Sequence, residues 1–179
     1  MTVVFIDRDG VINKNRDDYV KTVDEFVFLT GALEGLAKLK KAGITTVVVS
    51  NQAGIGRGLI EPAELERINH KMLQEIAEHG GEISALYCCT HRKDEGCECR
   101  KPEIGLFLKA STELDINLSD SYLIGDSSSD IEAGHRMGCR TVLVLTGKAS
   151  AAEARGWKHR PEHIAPDLPA AVDWILSML

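Results

Sequence analysis

Two features typical of membrane proteins and nucleic-acid-binding proteins are missing from this sequence. It contains no run of the roughly 18 consecutive apolar residues that a membrane-spanning helix requires. It also lacks an excess of positive charge, since 21 Lys and Arg residues are set against 27 Asp and Glu residues and the formal net charge is −6. Such a chain has no overall positive field to hold nucleic acid or an anionic membrane. Any anionic ligand must be bound by a local group of side chains.

The length and composition favour one globular domain that spans residues 1–179. Hydrophobic residues make up 44% of the chain and charged residues 27%, a balance that excludes disordered and collagen-like proteins. The N-terminus runs directly from an apolar segment into Asp7, without the features of a signal peptide, so we expect a cytoplasmic protein. No obvious apolar surface stripe is present, and we therefore expect a monomer.

Short apolar segments alternate with polar, glycine-bearing loops and segments of helical periodicity. This β-loop-α repeat predicts an α/β fold with a doubly wound, mostly parallel, Rossmann-like sheet. Apolarity in the strand segments is continuous, as expected for parallel strands covered on both faces. Residues 147–166 lose clear periodicity and are interpreted as a surface excursion. The predicted strands are Val3–Ile6, Thr45–Val49, Ile83–Cys88, Tyr122–Ile124 and Thr141–Leu145.

The loops after residues 6, 49, 88 and 125 hold most of the unusual chemistry. In an open parallel sheet they share the edge at the carboxyl ends of the strands. In the first loop, Asp7 and Asp9 flank Arg8 and precede Gly10. One carboxylate there could attack phosphorus while its neighbour manages protons. A plain Asp-Gly turn is the alternative.

The second loop begins Ser50-Asn51-Gln52 and continues through a glycine-rich stretch to Arg57. Hydroxyl, amide and guanidinium groups suit a phosphate or polyhydroxy ligand, and the alternative is a flexible surface loop. The glycine spacing is wrong for a dinucleotide fingerprint, and we expect no helix to follow this segment directly.

Asp126 follows another predicted strand and should face the same edge as Asp7. Carboxylates gathered at one point repel each other unless a hard cation joins them, which favours Mg²⁺. Asp130 could be a metal ligand, could orient one, or could cap the helix that begins near Ile131. Lys101 precedes a predicted helix, where an anion is already favoured.

The third loop, residues 88–101, contains two pairs of candidate metal ligands, each pair separated by one residue. In extended backbone, residues two apart point the same way, so Cys89 with His91 and Cys97 with Cys99 predict a tetrahedral Cys₃His zinc site. The zinc would be structural because no position remains for water. A disulfide or reduced free thiols are the alternatives.

Together, the four loops resemble the motifs of the haloacid dehalogenase superfamily of phosphohydrolases, over roughly residues 3–148. The motifs match Asp7-x-Asp9, Ser50, Lys101, and Asp126 to Asp130. The intervals 10–44 and 59–83 are too short for an inserted cap domain, so the resemblance implies a capless core. It implies these roles: Asp7 as nucleophile, Asp9 as general acid and base, Ser50 and Lys101 as phosphoryl ligands, and Asp7, the Asp9 carbonyl and Asp126 as Mg²⁺ ligands.

Within the superfamily, the Asn51-Gln52-x-Gly54-x-x-Arg57-Gly58 segment and the zinc loop resemble the branch that acts on heptose bisphosphates. The histidinol-phosphatase branch shares the zinc loop but not the Gly-x-Arg-Gly segment, so it is the runner-up. The short interval between His91 and Cys97 and an extra residue within 13–20 are departures from the pattern. A catalytically silent module that binds phosphorylated ligands is a third alternative. The resemblance implies substrate-binding roles for Tyr19, Asn51, Gln52, Arg57 and Arg100.

Overall fold

A computed structural model describes residues 2–179, and Met1, the start of the predicted domain, lies outside the described residues. Within them, six parallel strands form one sheet in the order β3-β2-β1-β4-β5-β6. The predicted α/β fold with a parallel sheet is therefore confirmed. The strands are β1 (Val3–Ile6), β2 (Thr45–Asn51), β3 (Ala85–Cys89), β4 (Tyr122–Gly125), β5 (Arg140–Val144) and β6 (His163–Ala165).

Helices cover both faces of this sheet. On one face, Leu36, Met72 and Val172 belong to a core formed by α1, α3 and α7. On the other face, Phe107 and Met137 pack from α4 and α5. None of the helices in residues 2–179 is long and apolar enough to cross a membrane. The helices are α1 (Ala32–Lys41), α2 (Ala53–Gly56), α3 (Pro62–Glu78), α4 (Gly105–Leu114), α5 (Ser128–Met137), α6 (Ala151–Arg155) and α7 (Leu168–Ser177).

The strand order reverses direction beside β1. From β1 the chain moves outward through β2 and β3, then returns to place β4 on the other side of β1. The register pairs Ile6 with Ile124, so β1 and β4 end side by side. Open parallel sheets bind ligands at such a switch point. The segments that carry Asp7 and Asp126 leave the sheet there.

Two sequence predictions about local structure are wrong. Residues 147–166 are more than a surface excursion, because they contain α6 and the edge strand β6. Ser150 starts α6 by accepting the Glu153 N–H and hydrogen bonding the Glu153 carboxylate, a short-range cap that periodicity does not register. The glycine-rich segment before Arg57, which we expected not to run directly into a helix, forms the single helical turn α2. Residues with little helical periodicity form both short helices.

Candidate active site

The ends of β1 and β4 place two carboxylates next to each other. Asp7 Oδ1 accepts the Arg8 N–H at 2.7 Å and pairs with Lys101 Nζ at 2.9 Å. Both contacts fall on one oxygen and fix the orientation of the carboxylate. A turn at Gly10, where φ is 84°, brings the first loop against Asp126. A Cβ on Gly10 would overlap Asp126 Oδ2, so the close approach requires glycine.

The Asp9 carboxylate accepts hydrogen bonds from three neighbouring side chains. The Arg8 guanidinium donates to both Asp9 oxygens at 3.1 Å, and amide groups of Asn13 and Gln52 donate at 2.9 and 2.6 Å. Burial raises the pKa of Asp9, but the Arg8 charge and these hydrogen bonds outweigh it and hold the pKa below its ordinary value. The protein groups alone therefore keep Asp9 ionised.

Lys101 is a buried cation between two carboxylates. Its Nζ lies 2.9 Å from Asp7 Oδ1 and 2.7 Å from Asp130 Oδ1, and it donates to the Val49 carbonyl at 2.8 Å. Burial lowers the pKa of Lys101, but the negative charges of Asp130 and Asp7 outweigh it and raise the pKa well above its ordinary value. Lys101 is thus a fixed positive charge at the end of β2.

Asp130 links the start of α5 to Lys101. Its Oδ2 accepts the Asp126 N–H at 3.2 Å, the Ser127 N–H at 3.1 Å and the Ser127 hydroxyl at 2.6 Å, in a capping box at the start of α5. Its Oδ1 pairs with Lys101. Asp130 caps α5 through Oδ2 and forms an ion pair with Lys101 through Oδ1, which is buried and accepts no hydrogen bond within residues 2–179.

The carboxylates of Asp7, Asp126 and Asp130 form a buried cluster whose oxygens lie within 4.8 Å of one another. Burial and the charges of Asp130 and Asp9 raise the pKa of Asp7 to about 6, although the positive charge of Lys101 offsets part of this rise. Burial and the charges of Asp130 and Asp7 raise the pKa of Asp126 to about 8. The hydrogen bond from the Lys148 N–H lowers this pKa but does not outweigh them. Crowded oxygen ligands of this kind suit a divalent cation. The carboxylates of Asp7, Asp126 and Asp130 therefore fit a divalent cation such as Mg²⁺, and Asp130 also binds Lys101 and the start of α5.

Without a divalent cation, the protein should lose thermal stability as the pH rises through about 6 to about 8. Where the pKa of a carboxyl is raised by folding, the folded state binds more protons than the unfolded state, and stability falls as pH rises through the folded pKa. Mg²⁺ should therefore raise Tm more at about pH 8.5 than at about pH 5.5, as measured by thermal melts. Asp126→Asn is the matched control and should flatten this difference. An equal rise at both pH values in the unmodified chain would contradict the account.

Ser50 and Asn51 at the end of β2, and Gln52 directly after it, contact the other catalytic candidates through their side chains. Ser50 and Gln52 are buried, and the Gln52 amide contacts Ser50 Oγ at 2.8 Å. Asn51 accepts the Lys101 N–H at 3.0 Å and donates to the Lys101 carbonyl at 3.2 Å. The side chains of Asn51 and Gln52 are thus hydrogen-bonded to protein groups.

A cavity of about 850 Å³ opens above the carboxylates. Its lining includes Asp7, Asp9, Lys101 and Asp126, together with Tyr19 and Arg100 of the predicted substrate-binding residues. Arg100 Nη1 is buried and has no hydrogen-bond partner in residues 2–179, which leaves it for an anionic ligand. A shallower hollow of about 1020 Å³ follows one face of α3, but none of the predicted site residues lines it.

Arg57 does not line this cavity. It is exposed, its guanidinium lies 5.9 Å from the centre of the Tyr19 ring, and it lines a separate hollow of about 620 Å³ with Arg92, Lys93 and Asp94. Arg92 and Lys93 line both spaces. Arg57 therefore reaches the main cavity only along its rim.

Several residues of the site were missed from the sequence. Arg8, which is fully buried, donates to both Asp9 oxygens, and no pattern in the sequence assigned it this role. The cations Arg16, Arg92, Lys93 and Lys148 also line the cavity. Their sequence neighbourhoods are ordinary charged loops and gave no such signal.

The four predicted zinc ligands come together in the third loop. The Cys89 and Cys97 sulfurs lie 3.6 Å apart, those of Cys97 and Cys99 lie 3.5 Å apart, and His91 Nδ1 faces Cys99 Sγ at 3.1 Å. Tetrahedral zinc with sulfur at about 2.3 Å separates its ligands by roughly 3.7 Å, and two of the three sulfur pairs come close to this spacing, while the sulfurs of Cys89 and Cys99 lie 2.9 Å apart. Three thiols and one imidazole gathered in this way are a donor set that suits zinc. Cys88 lies outside the cluster, as predicted, with its sulfur 3.9 Å from the Asn69 amide.

The thiols also differ in acidity before any metal binds. Burial and the neighbouring thiols raise the pKa of Cys89. For Cys97, burial opposes ionisation, but N–H donors of Cys99 and Arg100 and the neighbouring thiols outweigh it and lower the pKa to about 7. Cys97 is therefore the thiol most ready to bind a cation as the thiolate.

Comparison with known proteins agrees with this geometry. Residues 98–171 match the HAD-hydrolase-like family model. The chain is 41% identical to the D-glycero-beta-D-manno-heptose-1,7-bisphosphate 7-phosphatase of Pseudomonas aeruginosa, over 82% of this chain and 83% of that protein. It is 36% identical to the enzyme of the same name from Bordetella bronchiseptica, over 99% of each chain.

The crystal structure of D,D-heptose 1,7-bisphosphate phosphatase from B. bronchiseptica, complexed with magnesium and phosphate, superposes with a TM-score of 0.93 at 35% identity and covers 100% of each chain. A similarity of this extent defines the family as well as the fold. The chain therefore belongs to the D-glycero-beta-D-manno-heptose-1,7-bisphosphate 7-phosphatases of the haloacid dehalogenase-like hydrolases.

Proposed function

We propose that this chain is a Mg²⁺-dependent phosphatase that removes the 7-phosphate of D-glycero-D-manno-heptose 1,7-bisphosphate, in the supply of ADP-heptose for the lipopolysaccharide core. The observation that carries the proposal is the position of Asp7 and Asp9 at one cavity, with Lys101 and Asp126 beside them. The names of the relatives support the substrate.

In the first step, an oxygen of the Asp7 carboxylate attacks phosphorus in line with the bond to the sugar oxygen. That bond breaks, its electron pair leaves with the sugar oxygen, and Asp9 gives this oxygen a proton. The negative charge of a bound phosphate raises the proton affinity of Asp9, which the protein groups alone keep low. The products of this step are the dephosphorylated sugar hydroxyl and an aspartyl phosphate on Asp7.

In the second step, ionised Asp9 takes a proton from a water molecule that attacks the phosphorus of the aspartyl phosphate. The bond between phosphorus and the Asp7 oxygen breaks, which releases inorganic phosphate and restores the Asp7 carboxylate. Ser50 and Lys101 bind the phosphoryl oxygens in both steps. Mg²⁺ held by Asp7, Asp126 and the Asp9 carbonyl supplies further charge neutralisation.

The rest of the substrate is bound by side chains at the cavity wall. Arg100, whose buried Nη1 has no hydrogen-bond partner within residues 2–179, is suited to an anionic group of the substrate, and Tyr19 lines the same cavity. Arg57 packs over Tyr19 at the rim and acts on the distal end of a long substrate. Asn51 and Gln52, the other predicted substrate ligands, line the same cavity.

The zinc loop, in this account, presents Arg100 and Lys101 in a fixed geometry. Removal of zinc should lower Tm and raise KM for the bisphosphate by about tenfold or more, since the loop must then be ordered on binding. The measurement uses a zinc-selective chelator with Mg²⁺ kept in excess, followed by restoration with zinc. Cys139→Ser, outside the cluster, is the control and should keep the zinc response. Unchanged Tm and KM after zinc removal would contradict this role.

The proposal includes the organisation of the chain. Residues 1–179 form a single phosphatase domain without a cap, and substrate selection then depends on loops. The protein acts as a monomer in the cytoplasm, a compartment in which the thiols of the zinc loop remain reduced.

Phosphate release from heptose 1,7-bisphosphate and from L-histidinol phosphate, at matched concentrations and with Mg²⁺, tests the substrate. We expect a kcat/KM at least about 100-fold higher for the bisphosphate. Its second phosphate can contact the cations that line the cavity, which are Arg16, Arg92, Lys93 and Lys148. Asp7→Asn provides the background rate. Preference for histidinol phosphate would keep the chemistry and overturn the substrate, and release from neither would favour a binding module.

A further inference from the structure

Gln52 lines the catalytic cavity, yet its side chain is only 1% exposed. Its amide nitrogen lies 2.6 Å from Asp9 Oδ2 and 2.8 Å from Ser50 Oγ. An amide nitrogen carries two protons, and each of these contacts takes one. The main chain is fixed as well, because the Gln52 N–H donates to the Cys89 carbonyl at 2.7 Å.

The hydrogen bonds of Gln52 define which end of its amide faces Asp9. The amide nitrogen donates to Asp9 Oδ2 at 2.6 Å. The same nitrogen then makes Ser50 Oγ an acceptor. The proton of the Ser50 hydroxyl remains for another acceptor, and a phosphoryl oxygen in the cavity fits this need.

Gln52 is also the donor that ties Asp9 to β2. Arg8 and Asn13, the other donors to Asp9, belong to the same loop as Asp9 itself. Gln52 comes from the neighbouring segment and joins Asp9 to Ser50. Without it, the two groups that must meet one phosphate ester would lack a direct connection.

The adjacent residue behaves in the same way toward the third catalytic group. Asn51 hydrogen bonds both the N–H and the carbonyl of Lys101, at 3.0 and 3.2 Å. Residues 50–52 thus contact Asp9 and Lys101 from one short segment. The Gln52 amide nitrogen thus donates two hydrogen bonds to protein groups, and the Asn51 amide nitrogen donates one.

We propose that Gln52 is a positioning residue of the phosphatase reaction, which holds the acid Asp9 and the hydroxyl of Ser50 in register for the same phosphate ester. This inference rests on the proposed function. It differs from a role as a sugar ligand, because a sugar could gain the Gln52 amide protons only by breaking both hydrogen bonds.

The test is Gln52→Met, which keeps the volume and removes both donors, with Gln52→Asn as a second variant that keeps the amide but shortens its reach. We expect kcat for heptose 1,7-bisphosphate to fall about 10- to 100-fold with KM within about threefold of the original. For p-nitrophenyl phosphate the loss should be smaller, because a nitrophenolate leaves without a proton from Asp9. Tm with Mg²⁺ checks folding of both variants.

A double-mutant cycle with Asp9→Asn isolates the coupling. Once Asp9 has lost its charge and its acid function, adding Gln52→Met should lower kcat less than about threefold further. A rise in KM for the bisphosphate alone, with kcat unchanged, would overturn the inference in favour of a sugar ligand. Unchanged kinetics would also overturn it, while the active unmodified chain would keep the proposed function. An unmodified chain inactive toward both esters would overturn the proposed function and this inference together.

Discussion

Exchange of Asp7 for Asn should reduce phosphate release by at least about four orders of magnitude, because the amide cannot form the aspartyl phosphate. The change keeps the shape of the side chain and its contact with the Arg8 N–H. It also removes a carboxylate whose pKa is raised to about 6 by burial and by neighbouring charges. Tm in metal-free buffer near pH 8 should therefore stay the same or rise, since an unfavourable buried charge is lost.

Steady-state phosphate release and thermal melts on the same preparations measure both effects. A folded, Mg²⁺-responsive variant without activity would separate the chemical role of Asp7 from a structural one. Activity within about tenfold of the original would remove Asp7 from the nucleophilic role. A large fall in Tm would contradict the expected stability, and it would mean that Asp7 acts mainly in the fold.

The second large effect is expected for Lys101→Met. Lys101 Nζ contacts Asp7, Asp130 and the Val49 carbonyl, so its loss leaves two buried carboxylates without their shared cation. Removing one partner of a buried ion pair costs about 3–5 kcal/mol of unfolding free energy. The phosphoryl group also loses a positive charge, so kcat should fall by about 1000-fold.

Denaturant unfolding and kcat with Mg²⁺ in excess measure these losses. Lys40→Met is a matched control, because Lys40 is exposed and forms only a surface ion pair with Glu82 at 3.3 Å. Its change in unfolding free energy should be at most about 1 kcal/mol, and kcat should not change. If the two Lys→Met variants behaved alike, Lys101 would be neither a structural nor a catalytic cation.

The parts of the site that follow from strand topology could be predicted from the sequence. Parallel strands end at the same edge of a sheet, so the residues that follow the neighbouring strands β1 and β4 must lie close together. Asp7 and Asp126 occupy these positions, and their carboxylates lie in one cluster. The zinc ligands follow from a similarly local rule, because residues two apart in extended chain point the same way.

Features set by packing over longer distances were not predictable in this way. The direction of the Gln52 amide depends on Asp9, which is 43 positions away in the chain. The edge strand β6 has only three residues and includes His163, so its strand character comes from pairing with β5. Arg57 follows the glycines expected of a ligand-binding loop, yet α2 carries it to the rim of the cavity.

The covalent intermediate is the central claim. Its most direct test mixes Asp9→Asn with p-nitrophenyl phosphate, follows p-nitrophenol release by absorbance, and after acid quenching locates the added phosphate by intact and peptide mass. With a good leaving group, the first step no longer needs a proton from Asp9, whereas hydrolysis of the aspartyl phosphate still needs its base. We predict a burst of about one equivalent of p-nitrophenol and a phosphorylated peptide with the modification on Asp7. No burst and an unmodified Asp7, in a preparation whose parent chain turns over the same ester, would contradict covalent catalysis by Asp7.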